Sequence, residues 1–256
     1  MIKGYAPGTI LQFIFIEDRL KKTLSRNQHF IDVGSGNGQL SNLLLSAGFT
    51  GIGIDLNLSA CENNVDLNRK YIDQGQYKVV HGDFNSIKEG SFDFLISSMV
   101  IEHIDDNNLM LFIENAKRIV KKDGKLIFLV PSNMNAWGIE DEIAGHVKRY
   151  SFNEIENLAK INDLKVYYKC GLNFPISNWL LNLSNFVVRK NESYLVEKSE
   201  LEKTVYTGNR NVKYKTVFPK YLNLVLNEII LRPFHFLQLV NSKNEKSLVM
   251  YFELIR

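Results

Sequence analysis

Three glycines and an aspartate stand where a main chain could bind a small charged ligand. Residues 30–38 read FIDVGSGNG, an apolar stretch that leads through Gly34, Gly36 and Gly38 into a helical pattern. Because glycine lacks a Cβ atom and accepts positive φ, this loop can approach a ligand closely. The dinucleotide fingerprint is G-x-G-x-x-G, whereas here the third glycine comes one residue early. Asp32, just before the loop, would repel a pyrophosphate and attract a cationic ligand.

Two further acids end predicted strands downstream of the loop. Asp55 ends the apolar stretch GFTGIGID, and Asp83 ends YKVVHGD. In α/β nucleotide folds an acid at the end of the second strand binds ribose hydroxyls. A single aspartate in such a position is more often a helix cap or a turn residue. Three acids that end successive strands, in order, indicate a nucleotide-like ligand instead.

The stretch IDVGSGNG resembles motif I of the class I S-adenosylmethionine-dependent methyltransferases, and the resemblance continues in order over about residues 25–170. Within that family, the chain resembles the small-molecule enzymes of the ubiquinone and sugar O-methyltransferase group. The resemblance implies S-adenosylmethionine as the cofactor, with Asp55 on the ribose, Leu56 and Phe84 on the adenine ring and Asp83 on its amino group. The full set of implied cofactor residues is Asp32, Gly34, Ser35, Gly36, Asn37, Gly38, Asp55, Leu56, Asp83, Phe84 and Ser98.

Two histidines and a tyrosine are the catalytic candidates. His103 resembles the family's glutamate-histidine pair after strand four, and His146 lies in GHVKRYS together with Tyr150. A neutral imidazole can accept a proton near physiological pH, although either histidine could instead have a structural role. No cluster of acids and histidines resembles the magnesium site of catechol-type enzymes, so no metal site is expected.

Alternating strand and helix patterns predict a Rossmann-like α/β fold: a seven-stranded, mostly parallel sheet with helices on both faces. Strand four is expected over residues 92–104, since its apolar run lacks the alternation of a half-exposed strand. A helix, a turn at 122–124 and strand five should follow, then strand six near 164–174 and strand seven near 247–255. Ser151 and Glu154 predict a capping box at the start of the helix before strand six.

We expect a single methyltransferase domain over residues 1–256. Its predicted parts are an N-terminal helical cover at 1–24, a cofactor-binding core at 25–172, a helical insertion at 173–244 and a final strand at 245–256. In the cover, Tyr5 and Gln12 are possible ligand contacts. The insertion is too long for an unstructured loop; a cap over the acceptor, a homodimer surface and a peripheral membrane face are its three interpretations. Its apolar runs are too interrupted for a transmembrane helix.

Composition restricts the partners and the compartment. Residues 1–186 carry 19 Lys and Arg against 21 Asp and Glu, whereas residues 187–256 carry 12 against 7. The basic last quarter is compatible with an anionic acceptor or simply with a solvated face. Basic residues are not interleaved with aromatics, so nucleic acid is not an expected partner. Two isolated cysteines and the absence of a signal-peptide pattern indicate a cytoplasmic protein.

The expected reaction is methyl transfer to a small molecule. The ISSM sequence at 96–99 differs from the D/N-P-P-Y/F of amino-methylating DNA and glutamine enzymes, and neither cysteine follows a proline as carbon-5 cytosine enzymes require. We expect O-methylation of a polar acceptor: a sugar, a nucleotide-linked compound or a surface-polysaccharide (capsule) precursor. The alternatives are a quinone or lipid acceptor, N-methylation, a nicotinamide-dependent oxidoreductase and a non-catalytic scaffold.

Overall fold

Strands and helices alternate along the chain in the computed structural model, which describes residues 2–87, 92–198, 212 and 215–256. The strands are β1 His29–Val33, β2 Thr50–Asp55, β3 Tyr77–His81, β4 Phe92–Ser98, β5 Val120–Pro131, β6 Lys165–Leu172 and β7 Val249–Ile255. The helices are α1 Pro7–Thr23, α2 Gln39–Ser46, α3 Leu58–Asp73, α4 Asp106–Ile119, α5 Ile139–Ala144, α6 Phe152–Ile161, α7 Ile176–Glu192 and α8 Glu228–Val240.

The seven strands form one sheet in the order β3-β2-β1-β4-β5-β7-β6. All neighbouring pairs are parallel except those of β7, which is antiparallel to both β5 and β6. The chain order reverses between β1 and β4, and ligands of open α/β sheets bind outside the carboxyl ends of the strands at such a switch point. The predicted seven-stranded, mostly parallel α/β fold is therefore confirmed.

Two apolar layers cover the sheet because its central strands are buried on both faces. Along β5, Ile127 and Leu129 belong to the layer packed against α1 and α2, while Leu126 and Phe128 belong to the layer packed against α4 and α6. Successive strand residues point to opposite faces, so a continuous apolar run serves both layers. This rigid centre positions the loops at the strand ends.

Strand four is shorter than predicted. It ends at Ser98, and Met99 then turns the chain with φ +56° into a short 3₁₀ turn at Ile101–His103. Apolar residues continue through the turn because it packs into the core, and Ile101 is almost fully buried there. The pattern of apolar residues alone therefore could not mark the end of the strand.

The predicted turn at Lys122–Gly124 lies within β5 instead of before it. Helix α4 ends at Ile119 and the strand begins at Val120. Val120 pairs with Phe92 and Lys125 with Phe94, so the intervening residues form an irregularity opposite one residue of β4. Because β5 pairs with β4 both before and after this irregularity, residues 122–124 belong to the strand.

The predicted capping box is present, with Glu154 N donating to Ser151 Oγ and Ser151 N donating to Glu154 Oε2. The insertion between β6 and β7 begins with α7 and ends with α8, and a 3₁₀ turn at Lys220–Leu224 precedes α8. The middle of the predicted insertion, at 199–211 and 213–214, lies outside the described residues. In the part of the chain that the structure describes, no helix combines the length and apolar character needed to cross a bilayer.

Candidate active site

A cavity of about 1770 Å³ opens at the carboxyl ends of β1, β2 and β4. It is lined by residues that end these strands or follow them, among them Gly34, Asp55 and Val100. Pockets for a single small ligand usually measure about 300–1,000 Å³. The cavity is therefore large enough to hold two ligands side by side.

The glycine loop forms one wall, and its backbone geometry requires glycine at two positions. Gly34 has φ +73°, and a Cβ atom there would lie 2.2 Å from Val100 Cγ2. Gly38 has φ +81° at the start of α2, and a Cβ atom there would lie 2.2 Å from Asn64 Oδ1. Gly36 has open space at its Cβ position and lines the cavity, as does Asn37. Side chains at the first and third glycines would push the loop apart.

Asp32 lies beneath the loop instead of in the cavity wall. Its carboxylate is buried and accepts a hydrogen bond from Ser41 Oγ at 2.6 Å. Burial raises the pKa of Asp32 to about 7. Its predicted direct contact with a cationic ligand is therefore corrected: Asp32 is absent from the cavity wall and connects β1 to α2 through Ser41.

Ser35 also faces away from the cavity. Its Oγ accepts a hydrogen bond from Asn64 Nδ2 at 3.1 Å, and Asn68 Nδ2 donates to Gly38 O at 3.1 Å. Two asparagines of α3 thus hold the loop from behind. The predicted contact of the Ser35 side chain with the cofactor is corrected in the same way, since that side chain belongs to this supporting network.

Asp55 connects the second strand to the glycine loop. Its Oδ2 accepts a hydrogen bond from Gly36 N and its Oδ1 one from Asn57 N, both at 2.8 Å. Leu56, next in the chain, lines the cavity with 69% of its surface exposed. Because this apolar side chain is exposed beside the cavity, a flat ring of a ligand can pack against it.

Asp83 and Phe84 line the same cavity beyond the end of β3. Asp83 Oδ1 accepts a hydrogen bond from Asn85 N at 2.9 Å, and Phe84 is buried against Phe112 with ring centroids 4.8 Å apart. The predicted contact of Ser98 is corrected, because this residue pairs with Leu129 inside the sheet and does not line the cavity. Met99 and Val100, which follow it, do line the cavity.

The N-terminal helix contributes to the same cavity. Tyr5, which precedes α1, and Gln12 on α1 both line it. Tyr5 packs edge-to-face on Phe13 with ring centroids 5.5 Å apart. The first residues of the chain therefore form part of the cavity wall.

The two histidines predicted as catalytic lie together in the cavity wall. The rings of His103 and His146 meet edge-to-face with centroids 4.8 Å apart. His103 Nδ1 lies 3.2 Å from Gly145 O, which can only accept, so Nδ1 carries the proton and Nε2 keeps its lone pair. Burial, together with the nearby His146, lowers the pKa of His103 to about 4. His103 is therefore neutral at physiological pH.

His146 is oriented by a buried carboxylate. Its Nδ1 lies 2.8 Å from Asp141 Oδ1, and Arg149 contacts both oxygens of Asp141 at 2.8 and 2.9 Å. Burial raises the pKa of Asp141, but the hydrogen bonds from His146 and Arg149 outweigh this effect and lower the pKa overall. An ionised Asp141 accepts the Nδ1 proton of His146, which leaves Nε2 as the basic nitrogen.

Glu102 completes the group and was not singled out from the sequence. It is fully buried, and neither of its carboxylate oxygens has a hydrogen-bond partner among the described residues. Its Oε1 lies 3.8 Å from His146 Nε2. Burial raises the pKa of Glu102 to about 8. The structure thus brings an acid and two histidines together, where the sequence analysis expected no such cluster.

Tyr150 does not reach the cavity, which corrects its predicted catalytic role. It is buried, its hydroxyl donates to Ile101 O at 3.0 Å, and it is absent from the cavity wall. Burial raises the pKa of its hydroxyl well above the usual value. Tyr150 therefore holds the turn that carries Glu102 and His103.

The insertion supplies the wall opposite the strand ends. Apolar residues of α7 and of the segment before α8 line the cavity there: Leu180, Leu181, Leu183, Val187, Leu222, Val225 and Leu226. Polar residues also occur in this wall, among them Lys215, whose Nζ contacts Glu140 Oε1 at 2.6 Å and also contacts Ser184 Oγ. This half of the cavity suits a ligand with a large apolar part.

Comparisons with known proteins identify the family of the chain. The model of a methyltransferase domain family matches residues 10–169. A ubiquinone biosynthesis O-methyltransferase from Bartonella bacilliformis is 25% identical over 162 residues, which cover 56% of this chain and 62% of the relative. The first relatives are thus matched over about six to seven tenths of their own length.

Solved structures share the fold at low sequence identity. A sarcosine dimethylglycine methyltransferase described as putative, from Galdieria sulphuraria, has a TM-score of 0.57 at 14% identity, covering 95% of this chain and 84% of its own. Magnesium protoporphyrin IX methyltransferase from Synechocystis, solved with bound SAH, has a TM-score of 0.55 at 16% identity, covering 65% and 78%. The chain therefore belongs to the methyltransferase domain family.

Proposed function

We propose that this protein transfers the methyl group of S-adenosylmethionine to a hydroxyl oxygen of a small, partly apolar molecule. The observation that carries the proposal is the orientation of His146 by Asp141 beside a cavity that also contains the glycine loop. An amine acceptor needs no strong base, whereas a hydroxyl must lose its proton as it is methylated. A histidine oriented by a carboxylate therefore favours oxygen over nitrogen.

The cofactor is assigned to the half of the cavity at the ends of β1, β2 and β3. Gly34 and Gly36 would accommodate its methionine part, Asp55 its ribose hydroxyls, and Leu56, Asp83 and Phe84 its adenine. Asp55 already accepts two backbone hydrogen bonds. Because a carboxylate offers about four acceptor sites, ribose hydroxyls can still bind it.

The acceptor is assigned to the half between the histidines and α7. A sulfonium methyl is already activated, so transfer requires mainly that the acceptor oxygen, the methyl carbon and the sulfur be aligned, and positioning of this kind can lower a barrier by several kcal/mol, up to about 7–11. His146 Nε2 would accept the hydroxyl proton. Bound S-adenosylmethionine would supply the methyl group to the acceptor oxygen, and its sulfur would keep the electron pair of the broken C–S bond.

An acceptor of the phenol or quinol class with an apolar tail fits this half best. Leucines and valines dominate its wall, and the charge of Lys215 is paired with Glu140 instead of being free for an anion. The ubiquinone biosynthesis name of several relatives supports the same class. A polar sugar or nucleotide-linked acceptor is the second candidate, favoured by the patch of Glu140, Ser184 and Lys215.

An acceptor panel tests the proposal. The purified protein would be incubated with S-adenosylmethionine and with phenols, quinols, nucleotide sugars, capsule precursors and amines, and the products analysed by mass spectrometry with assignment of the methylated atom. We expect O-methyl products, with phenols or quinols that carry tails turning over fastest. Products confined to amines, protein or nucleic acid would contradict O-methylation of a small molecule.

A further inference from the structure

Glu102, His103 and His146 offer three ligand atoms that lie within 4.8 Å of one another. One carboxylate and two imidazoles form a ligand set that divalent zinc, cobalt, iron and manganese accept in proteins, with further positions left open. Two ligand atoms of a tetrahedral ion lie about 3.3–3.6 Å apart, given bonds of about 2.0–2.2 Å. Movements of roughly one ångström or less per side chain would therefore close the group around an ion.

The protonation of both histidines suits metal binding. His103 Nδ1 donates to a backbone carbonyl and His146 Nδ1 donates to the carboxylate of Asp141. Ligating histidines almost always donate their second ring N–H to such a carbonyl or carboxylate, which fixes the ring and increases the basicity of the other nitrogen. Both Nε2 lone pairs are thereby available, and that of His146 lies 3.8 Å from Glu102.

Glu102 provides an independent observation. A buried carboxyl group without a hydrogen-bond partner is costly, yet both oxygens of Glu102 lack one among the described residues. Val147 N donates to the backbone carbonyl of Glu102, so the main chain around the carboxylate is fixed. A cation between Glu102 and the histidines would neutralise this carboxylate and supply the missing interaction.

We propose that Glu102, His103 and His146 form a binding site for a first-row divalent metal ion in the acceptor half of the cavity. For its role in the reaction this inference rests on the proposed function, whereas binding of the ion itself does not. A bound ion lowers the pKa of an oxygen ligand. With the ion bound, His146 Nε2 would be a ligand and would no longer act as the base. The acceptor hydroxyl would then lose its proton to solvent water on binding the ion, and its oxygen would take the methyl group while the sulfur keeps the electrons of the C–S bond.

Cobalt titration tests the site without reference to turnover. The protein would be treated with a chelator, dialysed and titrated with Co²⁺, whose visible absorption reports bound nitrogen and oxygen ligands; Zn²⁺ would then be added as a competitor. We expect one Co²⁺ per chain, displaced by Zn²⁺. Glu102→Gln and His146→Gln should each weaken binding by more than about tenfold, because loss of even a partner that only supports a ligand costs about 10- to 100-fold.

Two controls make the result decisive. His81→Gln removes an exposed histidine of β3, three strands from β4 in the sheet, and should leave cobalt binding unchanged. Calorimetric binding of S-adenosylmethionine shows that each variant is folded. Absence of cobalt bands in the parent protein, or equal affinity in folded Glu102→Gln, would overturn the metal site. Cobalt binding with these dependences but no methyl transfer to any hydroxyl would instead overturn only the proposed function.

Discussion

Asp55 fixes the glycine loop through Gly36, whose backbone N–H donates to Asp55 Oδ2 at 2.8 Å. One carboxylate at the end of β2 thus links two strand ends that are about 20 residues apart in sequence, the spacing of dinucleotide folds. We therefore propose two roles for Asp55: it fixes the shape of the glycine loop, and it binds the ribose hydroxyls of S-adenosylmethionine. Replacing it should affect cofactor binding through both.

Asp55→Ala should weaken binding of S-adenosylmethionine. The loss of hydrogen bonds to a charged group costs about 1.5–3 kcal/mol, which corresponds to a Kd roughly 10- to 150-fold higher. Isothermal titration calorimetry measures the change. Asp66→Ala is the matched control. Asp66 lies on the exposed face of α3 and forms an ion pair with Arg69, away from the glycine loop. Equal affinity of Asp55→Ala and the parent protein would refute the assignment.

Leu181→Gln should impair the acceptor and spare the cofactor. Leu181 lines the apolar wall of the cavity on α7, and a buried polar group without a partner costs about 1–3 kcal/mol. We expect the KM of a quinol or phenol to rise about tenfold or more, while the Kd of S-adenosylmethionine stays constant. Phe186→Gln is the control on the same helix, since Phe186 is exposed and lies outside the cavity wall. A KM that rises equally in both variants would argue against α7 as the acceptor wall.

Tyr150→Phe should lower stability more than turnover. The substitution removes the hydroxyl that donates to Ile101 O, at a cost of about 1 kcal/mol. A decrease in Tm of roughly 2–4 °C follows for a chain of this size, and kcat should change only a few-fold. Thermal unfolding and steady-state kinetics provide the two measurements. A loss of turnover as large as that of a His146 variant would restore Tyr150 as a catalytic residue.

Glu102→Gln should change how stability depends on pH when metal ions are removed. Burial raises the pKa of Glu102 to about 8, from an ordinary value of 4.5. Between these pH values the folded state binds more protons than the unfolded state, so stability falls as pH rises through this window. Each proton is worth up to about 1.36 kcal/mol per pH unit. Glutamine stays neutral, so the variant should lose this dependence.

Calorimetric Tm values at pH 5, 6.5 and 8, in a chelating buffer, test this prediction. The difference between Glu102→Gln and the parent protein should shift steadily in favour of the variant as the pH rises. Parallel curves would show that Glu102 has an ordinary pKa. The same experiment tests the metal proposal, because added Zn²⁺ should stabilise the parent protein more than the variant.

Much of the fold could be predicted from the sequence because local patterns and global topology agree. The loop at Gly34–Gly38, the acids at Asp55 and Asp83 and the capping box at Ser151 depend on neighbours close in sequence. The end of β4 could not be predicted, since Met99 turns the chain while the apolar pattern continues. The irregularity in β5 depends on pairing with β4, which is a long-range contact.

The site was only partly predictable for a related reason. His103 and His146 were recognised by type and by their motifs, but their ring contact joins segments 43 residues apart. Nothing local marks Asp141 as the partner of His146 and Arg149, because it reads as one acid among several at the start of α5. Side-chain direction was equally hidden, so Asp32, Ser35, Ser98 and Tyr150 were assigned to a cavity that they do not line.

The most direct test of the account is the turnover of His146→Asn, measured together with its affinity for S-adenosylmethionine. His146 is central whether its Nε2 accepts the acceptor proton or binds a metal ion. We predict a kcat at least about 100-fold below that of the parent protein on the same hydroxyl acceptor, the lower end of the effect of a general base, with an unchanged cofactor Kd. Full turnover by a variant that binds the cofactor normally would contradict the account.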